Sequence, residues 1–252
     1  MTANWLNSAW VVDSTRPFLD WLTRRHAEQG GLTEIRILAP DRSVYHAIVG
    51  PEDVEALLED LAPGSASPHP KVGEAHVYFG MNPVGGQWTR QRLHRTNRCV
   101  KDRDIRAYSM LAVDIDPVRP AGESATREEW DAARDVGNAV ATWLESEGCR
   151  PLRADSGNGV HLLVPLVPAF DDLVPETAKQ AQRLLRQLDE RFSTDRARVD
   201  LSTFNPSRIL KLSGTPSLKG SGRPPRHHRM SRVCLADIPD DPDLFARLAA
   251  EE

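Results

Sequence analysis

The run from Tyr108 to Asp116, Tyr-Ser-Met-Leu-Ala-Val-Asp-Ile-Asp, constrains this chain more than any other segment. In an extended strand successive side chains point to opposite faces, so Leu111, Val113 and Ile115 line one face while Met110, Ala112, Asp114 and Asp116 share the other. Both carboxylates therefore point the same way. Two residues of strand separate them by roughly 7 Å at the backbone. That is close enough to share hard divalent cations, and too close for both to stay ionised comfortably in a dry site without one. The same residues also suit a plain strand-end turn, because Asp116-Pro117 is a good turn starter.

Two further segments carry chemistry. Ser156-Gly-Asn-Gly159 favours unusual backbone angles and feeds the short apolar run Val160 to Val164, a turn entering a strand. Such a turn can present backbone N–H groups to a phosphate, with His161 on the strand as a further donor. It equally suits a hairpin loop with a hydrogen-bonded core histidine. The third segment starts at Val199-Asp200 and continues into the apolar strand Arg208-Ile-Leu-Lys-Leu212. A strand of that kind that keeps Arg208 and Lys211 needs acidic or phosphate partners, unless it is a solvated edge. Strict alternation puts these two cations on opposite faces, so both reach one ligand only through a bulge. Asp200 suits an Asx turn with Ser202 and Thr203 as well as it suits a metal.

Composition sets the limits. A chain of 252 residues is long enough for one large or two small domains, and 40% apolar residues suffice for a core. No run approaches a membrane span. The opening Met1-Thr-Ala-Asn-Trp5 lacks the basic-then-apolar pattern of an export signal, so the expected location is the cytoplasm. Cys99, Cys149 and Cys234 are too few and too widely spaced for a disulfide framework or a CxxC zinc knuckle, leaving only His227, His228 and Cys234 as a conceivable metal set.

A net charge of −4 argues against a polyanionic partner until its distribution is considered. Arg90 to Arg106 holds seven Lys or Arg against two Asp, and Ser207 to Arg232 holds seven against none. Those stretches carry +12 and leave −16 for the rest of the chain. Segregation of this kind is the footprint of a polyanion site on an acidic body, although two solvated loops would leave the same trace.

Periodicity and turn residues predict a helix over Phe18 to Gln29, strands over Leu32 to Leu38 and Val44 to Val49, a helix over Glu52 to Leu61, a linker over Pro63 to Pro70 and a strand over Val77 to Met81. Ser124 or Thr126 would cap a long helix with Trp130, Ala133, Gly137, Val140 and Leu144 on one stripe. A further helix, about Glu176 to Phe192, would bury Ala181, Leu184, Leu185 and Leu188. The order implies an α+β fold, a sheet with helices packed on it. Residues 236–252 are expected to form an acidic, partly helical tail or a linker to a further domain.

DxD, then SGxGxH, then an Asp followed eight residues later by an Arg and a Gly-Thr turn, with Tyr78-Phe-Gly-Met-Asn-Pro83 upstream, closely resembles the motifs of the archaeo-eukaryotic primase superfamily, specifically the primase-polymerases of phages and plasmids. The likeness covers about residues 78–220. It implies a catalytic domain over 1–235, with an N-terminal α/β module of about 1–85 joined to an RRM-like catalytic module of about 86–235. It implies DNA priming or polymerisation in phage or plasmid replication: metal-dependent transfer from dNTPs or NTPs to a primer 3′-hydroxyl, or to an initiating nucleotide, on a single-stranded DNA template. A helicase would be fused to the chain or act in trans. Asp114, Asp116 and Asp200 would hold two Mg²⁺ or Mn²⁺ ions. Ser156, Asn158, Gly159 and His161, with Arg208, Lys211 and Lys219, would serve the nucleotide. Arg90, Arg92, Arg95, Arg98, Lys101 and Arg103 would track the template backbone. Family members often have DxE where this chain has the shorter Asp116. A rolling-circle relaxase needs a His-x-His pair, and the adjacent His227 and His228 have nothing between them. A non-catalytic relative that binds single-stranded nucleic acid is the other alternative, which an acidic trio disfavours because it repels polyanions.

Overall fold

The computed structural model describes residues 8–234, so the expected acidic tail lies outside the described residues. In chain order the elements are α1 (Ser8–Glu28), β1 (Thr33–Leu38), β2 (Val44–Val49), α2 (Val54–Leu61), β3 (His76–Gly80), β4 (Gln91–Thr96), β5 (Ala107–Pro117), α3 (Arg127–Ser146), β6 (Leu152–Asp155), β7 (Val160–Phe170), α4 (Leu173–Phe192), β8 (Ala197–Val199), β9 (Ile209–Lys211), β10 (Pro216–Ser217), β11 (Arg229–Met230) and β12 (Arg232–Val233). The fold is α+β. Strands β4-β2-β1-β3-β9 make one antiparallel sheet and β12-β6-β7-β5-β8 another, with β10 and β11 a small ribbon. Residues 91–96 and 209–211, both beyond the module boundary expected near 85, belong to the first sheet.

Alternation explains the layers of the first sheet. Ile35, Ile37, Val77 and Phe79 are fully buried and share a core with Phe18, Leu19 and Leu22 of α1 and Leu57, Leu58 and Leu61 of α2. Phe18 meets Phe79 edge-on at 4.9 Å between ring centroids. The opposite face carries Arg36, Tyr78 and Lys211, which are register partners across β1, β3 and β9. In the second sheet, α3 and α4 bury the predicted apolar stripes, except that Trp130 is half-exposed and donates its indole N–H to Asp155 at 3.1 Å. Thr126 caps α3: its hydroxyl accepts from Glu129 N and the Glu129 carboxylate accepts from Thr126 N. Ser124, the other candidate cap, donates instead to the Lys219 carbonyl.

Asn82 joins the sheets. Its buried Oδ1 accepts from Ser109 N and Met110 N on β5, and its Nδ2 donates to the Pro206 carbonyl ahead of β9. The Tyr108 hydroxyl donates to Phe204 O and Thr203 Oγ1 to Ala112 O, which fastens the 200–208 loop along β5.

The structure departs from the expected elements in four places. Helix α1 starts ten residues earlier than expected, at Ser8, and runs through Pro17, a residue that more often ends or kinks a helix. Strand β7 runs to Phe170 through Pro165 and Pro168 because the β5 pairing shifts register between Tyr108 and Met110, which accommodates residues that cannot donate to the ladder. Strand β4 lies at a sheet edge, where charged side chains remain solvated and hide the strand pattern. Strand β6 has only four residues, two of them charged.

Candidate active site

The site lies where the β3–β9 edge of the first sheet meets the β5–β7 pair of the second. The cleft there is lined by His76, Tyr78, Asp114, Asp116, Ser156, Asn158, His161, Ser217, Lys219 and the β9 strand Ile209–Lys211. Asp114 and Asp116 share this face as the strand period requires. Asp114 is the register partner of His161, whose Nε2 stands 3.4 Å from Asp114 Oδ1. Asp116 accepts from Arg119 at 3.0 Å, and the Arg119 side chain is only 7% exposed.

These neighbours drive the two carboxylates apart. Burial would raise Asp114, but the positive charges of His161, Lys219 and Arg208 outweigh it and hold the carboxyl below its ordinary range. Asp116 is raised by burial and by the Asp114 charge, which Arg119 only partly offsets. Burial would lower His161, yet Asp114, Asp116 and Asp155 together hold it above the usual imidazole range. Asp114 Oδ1 is buried and makes no hydrogen bond.

The cationic side of the cleft comes from β9. Lys211 is 8% exposed, its Nζ has no hydrogen-bond partner, and it sits 5.5 Å from the centre of the Tyr78 ring. Burial, reinforced by the Lys219 charge, brings its pKa down to about 7. His76 is depressed to about 4 by burial and by the charges of Lys211, Lys219 and His228. Arg208 does not line the cleft; it donates to the Ser202 carbonyl. Alternation had already placed Lys211 and Arg208 on opposite faces.

The Ser156–Gly159 turn differs from the expected phosphate cradle. Ser156 Oγ accepts from Gly159 N at 2.9 Å, Asp155 Oδ1 accepts from Gly157 N at 2.6 Å, and Asn158 N leans on Ser156 Oγ at 3.4 Å, so the turn satisfies its own N–H groups. The Asn158 side chain is also spent: it accepts from Ala125 N and donates to Ser217 Oγ. Glycine at 159 answers to packing. A Cβ there would fall on the Ile115 carbonyl oxygen and come within 3.2 Å of Asp116 Oδ1. At 157, φ is +85° and a Cβ would lie 2.7 Å from the Arg229 carbonyl. The turn therefore acts as a tightly packed brace for the end of β5.

Asp200 is tied to the site through its backbone, while its side chain is engaged locally. Its N–H donates to the Asp114 carbonyl at 2.7 Å, while its carboxylate accepts from Ser202 N and Ser202 Oγ at 2.8 and 2.9 Å. This is the Asx turn that the sequence also allowed. Among the described residues no three His, Cys, Asp or Glu side chains form a group that could hold a metal ion, so Asp114, Asp116 and Asp200 are not assembled as a trio here and His227, His228 and Cys234 form no metal set.

The stretch Arg90 to Arg106 does not act as a unit. Strand β4 is the outer edge of the first sheet, four strand spacings, roughly 19 Å, from β9. Arg90 pairs with Glu52 and Asp53, and Arg92 with Asp60 at 3.0 Å. Arg95 is the register partner of Tyr45, and Arg98 lies over the Trp88 ring. Lys101 and Arg103 are exposed beside Asp102, which accepts from Ser207 N and Oγ next to Arg208. Four polar residues of the site went unassigned in the sequence, His76, Tyr78, Arg119 and Ser217, as did the apolar Ile209 and Leu210. Tyr78 lay within the upstream motif, and Arg119 had the signal of a cation three residues beyond an acid.

No protein-family model matches this chain, and no curated protein matches it. Among solved structures it is similar to the polymerase domain of Mycobacterium tuberculosis Ligase D in complex with DNA, at 18% identity over 93% of this chain and 88% of that one, with a TM-score of 0.40.

Proposed function

We propose that this cleft carries metal-assisted nucleotidyl transfer, the addition of dNTPs or NTPs to a primer 3′-hydroxyl or an initiating nucleotide on a single-stranded DNA template. The observation that carries the reading is that one cleft brings the Asp114 and Asp116 carboxylates together with a buried Lys211 Nζ that has no hydrogen-bond partner. A buried ammonium without a partner is costly, and a metal–polyphosphate ligand would supply the oxygens it lacks while its metal meets the carboxylates. The motif order of the sequence supports the same reading and adds the setting, replication of a phage or plasmid with a helicase as partner.

Asp114 and Asp116 suit a hard divalent cation, Mg²⁺ or Mn²⁺, because they offer oxygen ligands only and Asp114 Oδ1 is engaged by no hydrogen bond, only by the His161 charge at 3.4 Å. Bound there, the ions would activate the attacking hydroxyl and stabilise the leaving pyrophosphate. Lys211 and Lys219 hold the polyphosphate, with Tyr78 walling the pocket beneath Lys211. His161 orients Asp114 and contributes positive charge. Asp200 completes the acid set only by giving up its bonds to Ser202, on a backbone already fixed to β5.

That last feature favours a second reading, a non-catalytic module that binds single-stranded nucleic acid, in which Asp200 never turns. Primer extension with labelled dNTPs and NTPs and Mn²⁺ separates the readings. Extension that disappears in Asp114→Asn supports the polymerase. A mobility shift without incorporation supports the binding module, and strand nicking with a covalent tyrosyl adduct would point to a relaxase.

A further inference from the structure

The second carboxylate of the cleft already has a cation of its own. Arg119 follows β5 by two residues, and its side chain is 7% exposed. One terminal nitrogen donates to Asp116 Oδ1 at 3.0 Å, the other reaches the Glu123 carbonyl at 3.4 Å, and Nε is buried with no partner. Burying a guanidinium with part of its donor set unmet costs stability, and the carboxylate it faces is the compensation the structure offers. Asp116 itself is 44% exposed, so the cation is the more deeply set member of the pair.

We propose that Arg119 is a positioning residue that holds Asp116 in the cleft before metal arrives and keeps the nucleotide-free site from retaining a divalent ion, so that metal is held only together with a polyphosphate. The inference rests on the metal reading of this cleft. The guanidinium occupies one Asp116 oxygen and places a positive charge where an incoming cation is repelled. His161 stands against Asp114 in the same way, and Asp200 has given its oxygens to Ser202. A divalent ion entering alone meets two carboxylates that are each already matched by a cation. A triphosphate on Lys211 and Lys219 adds the missing oxygens, in keeping with the habit of Mg²⁺ of binding through one or two carboxylates plus substrate phosphates.

The test is Mn²⁺ binding, read by the electron paramagnetic resonance signal of the free ion, with and without a triphosphate nucleotide. The expected result is that, without nucleotide, Arg119→Gln binds Mn²⁺ at least about tenfold more tightly than the natural protein. Arg119→Lys should match the natural protein, and the gain should vanish in an Asp116→Asn background. Unchanged or weaker Mn²⁺ binding in Arg119→Gln, or a gain that persists without the Asp116 carboxylate, overturns the assignment. If Arg119→Gln does not fold, Arg119→Met keeps the buried stem and carries the same expectations. Primer extension by the natural protein together with an unmoved Mn²⁺ affinity sinks this inference alone. The predicted Mn²⁺ shift in a protein that never extends a primer sinks the polymerase reading and leaves the role of Arg119 intact.

Discussion

Asp114 and Asp116 are two residues apart on one strand, yet their pKa values move in opposite directions because their neighbours differ. A carboxyl held below its ordinary range contributes stability that is present above the unfolded value, near 3.9, and is lost as pH falls through the folded one. Asp114 is of this kind. Asp116, raised by burial and by Asp114, destabilises the fold while ionised, and protonation relieves it. At neutral pH, Asp114→Asn should therefore lower the melting temperature, a loss that shrinks as pH falls towards 4, whereas Asp116→Asn sets the relief of its repulsion from Asp114 against the buried Arg119 guanidinium it leaves unmatched and should shift the melting temperature less. Melting curves from pH 4 to 8 check this, and identical shifts for the two variants would contradict it. Both should lose incorporation by at least about a hundredfold, the scale of several kcal/mol of metal-borne charge stabilisation. Lys211 adds a second signature. Its folded pKa of about 7 lies below the unfolded 10.5, so the unfolded chain binds the proton more tightly and stability rises between those two pH values. Replacing Lys211 with Met should remove that rise and stabilise the protein at neutral pH. A melting profile as steep as that of the natural protein would count against a buried amine.

At the scale of elements, the helix stripes, the first hairpin and the face of β5 that bears the acids were legible in the sequence, since each rests on a regular period. What escaped notice was set by tertiary context. Strand β4 disappears under its arginines, and the strand legible from Val160 stops at Val164 because the two prolines beyond it are admitted only by a register shift. The Ser156–Gly159 turn was visible as a turn, but its work was not: nothing local reveals that Asn158 is spent on Ala125 and Ser217, or that Gly159 lies against the Ile115 carbonyl. Asn158→Ala should cost about 1–3 kcal/mol, because it strands a buried backbone N–H and a buried hydroxyl. Gly159→Ala should cost a similar amount by forcing the turn off β5. Denaturant unfolding measures both, and a neutral effect for either would mean that the turn does not brace the strand.

For the whole molecule, charge segregation pointed to a polyanion partner but not to the face that meets it. Arg90 and Arg92 are matched by acids on the far edge of the first sheet, whereas Lys101 and Arg103 lie beside the 205–208 segment that leads into the cleft. Neutralising Lys101 and Arg103 together should lower the slope of log K against log[salt] for single-stranded DNA by a little over one unit, at roughly 0.7 per phosphate contact. Neutralising Arg90 and Arg92 should leave the slope unchanged. Equal losses for the two pairs would place the strand along both edges. The central claim is that one cleft holds metal on the Asp114 side and polyphosphate on the Lys211 side during nucleotide addition. Its most direct test is primer extension by the natural protein and Lys211→Met over a range of dNTP concentrations, with template affinity measured alongside. The predicted result is extension by both, with the nucleotide KM of Lys211→Met raised by at least about tenfold, the worth of a charge-assisted hydrogen bond to phosphate, and template affinity unmoved. An unchanged nucleotide KM, or no incorporation by the natural protein with either Mg²⁺ or Mn²⁺, would contradict it.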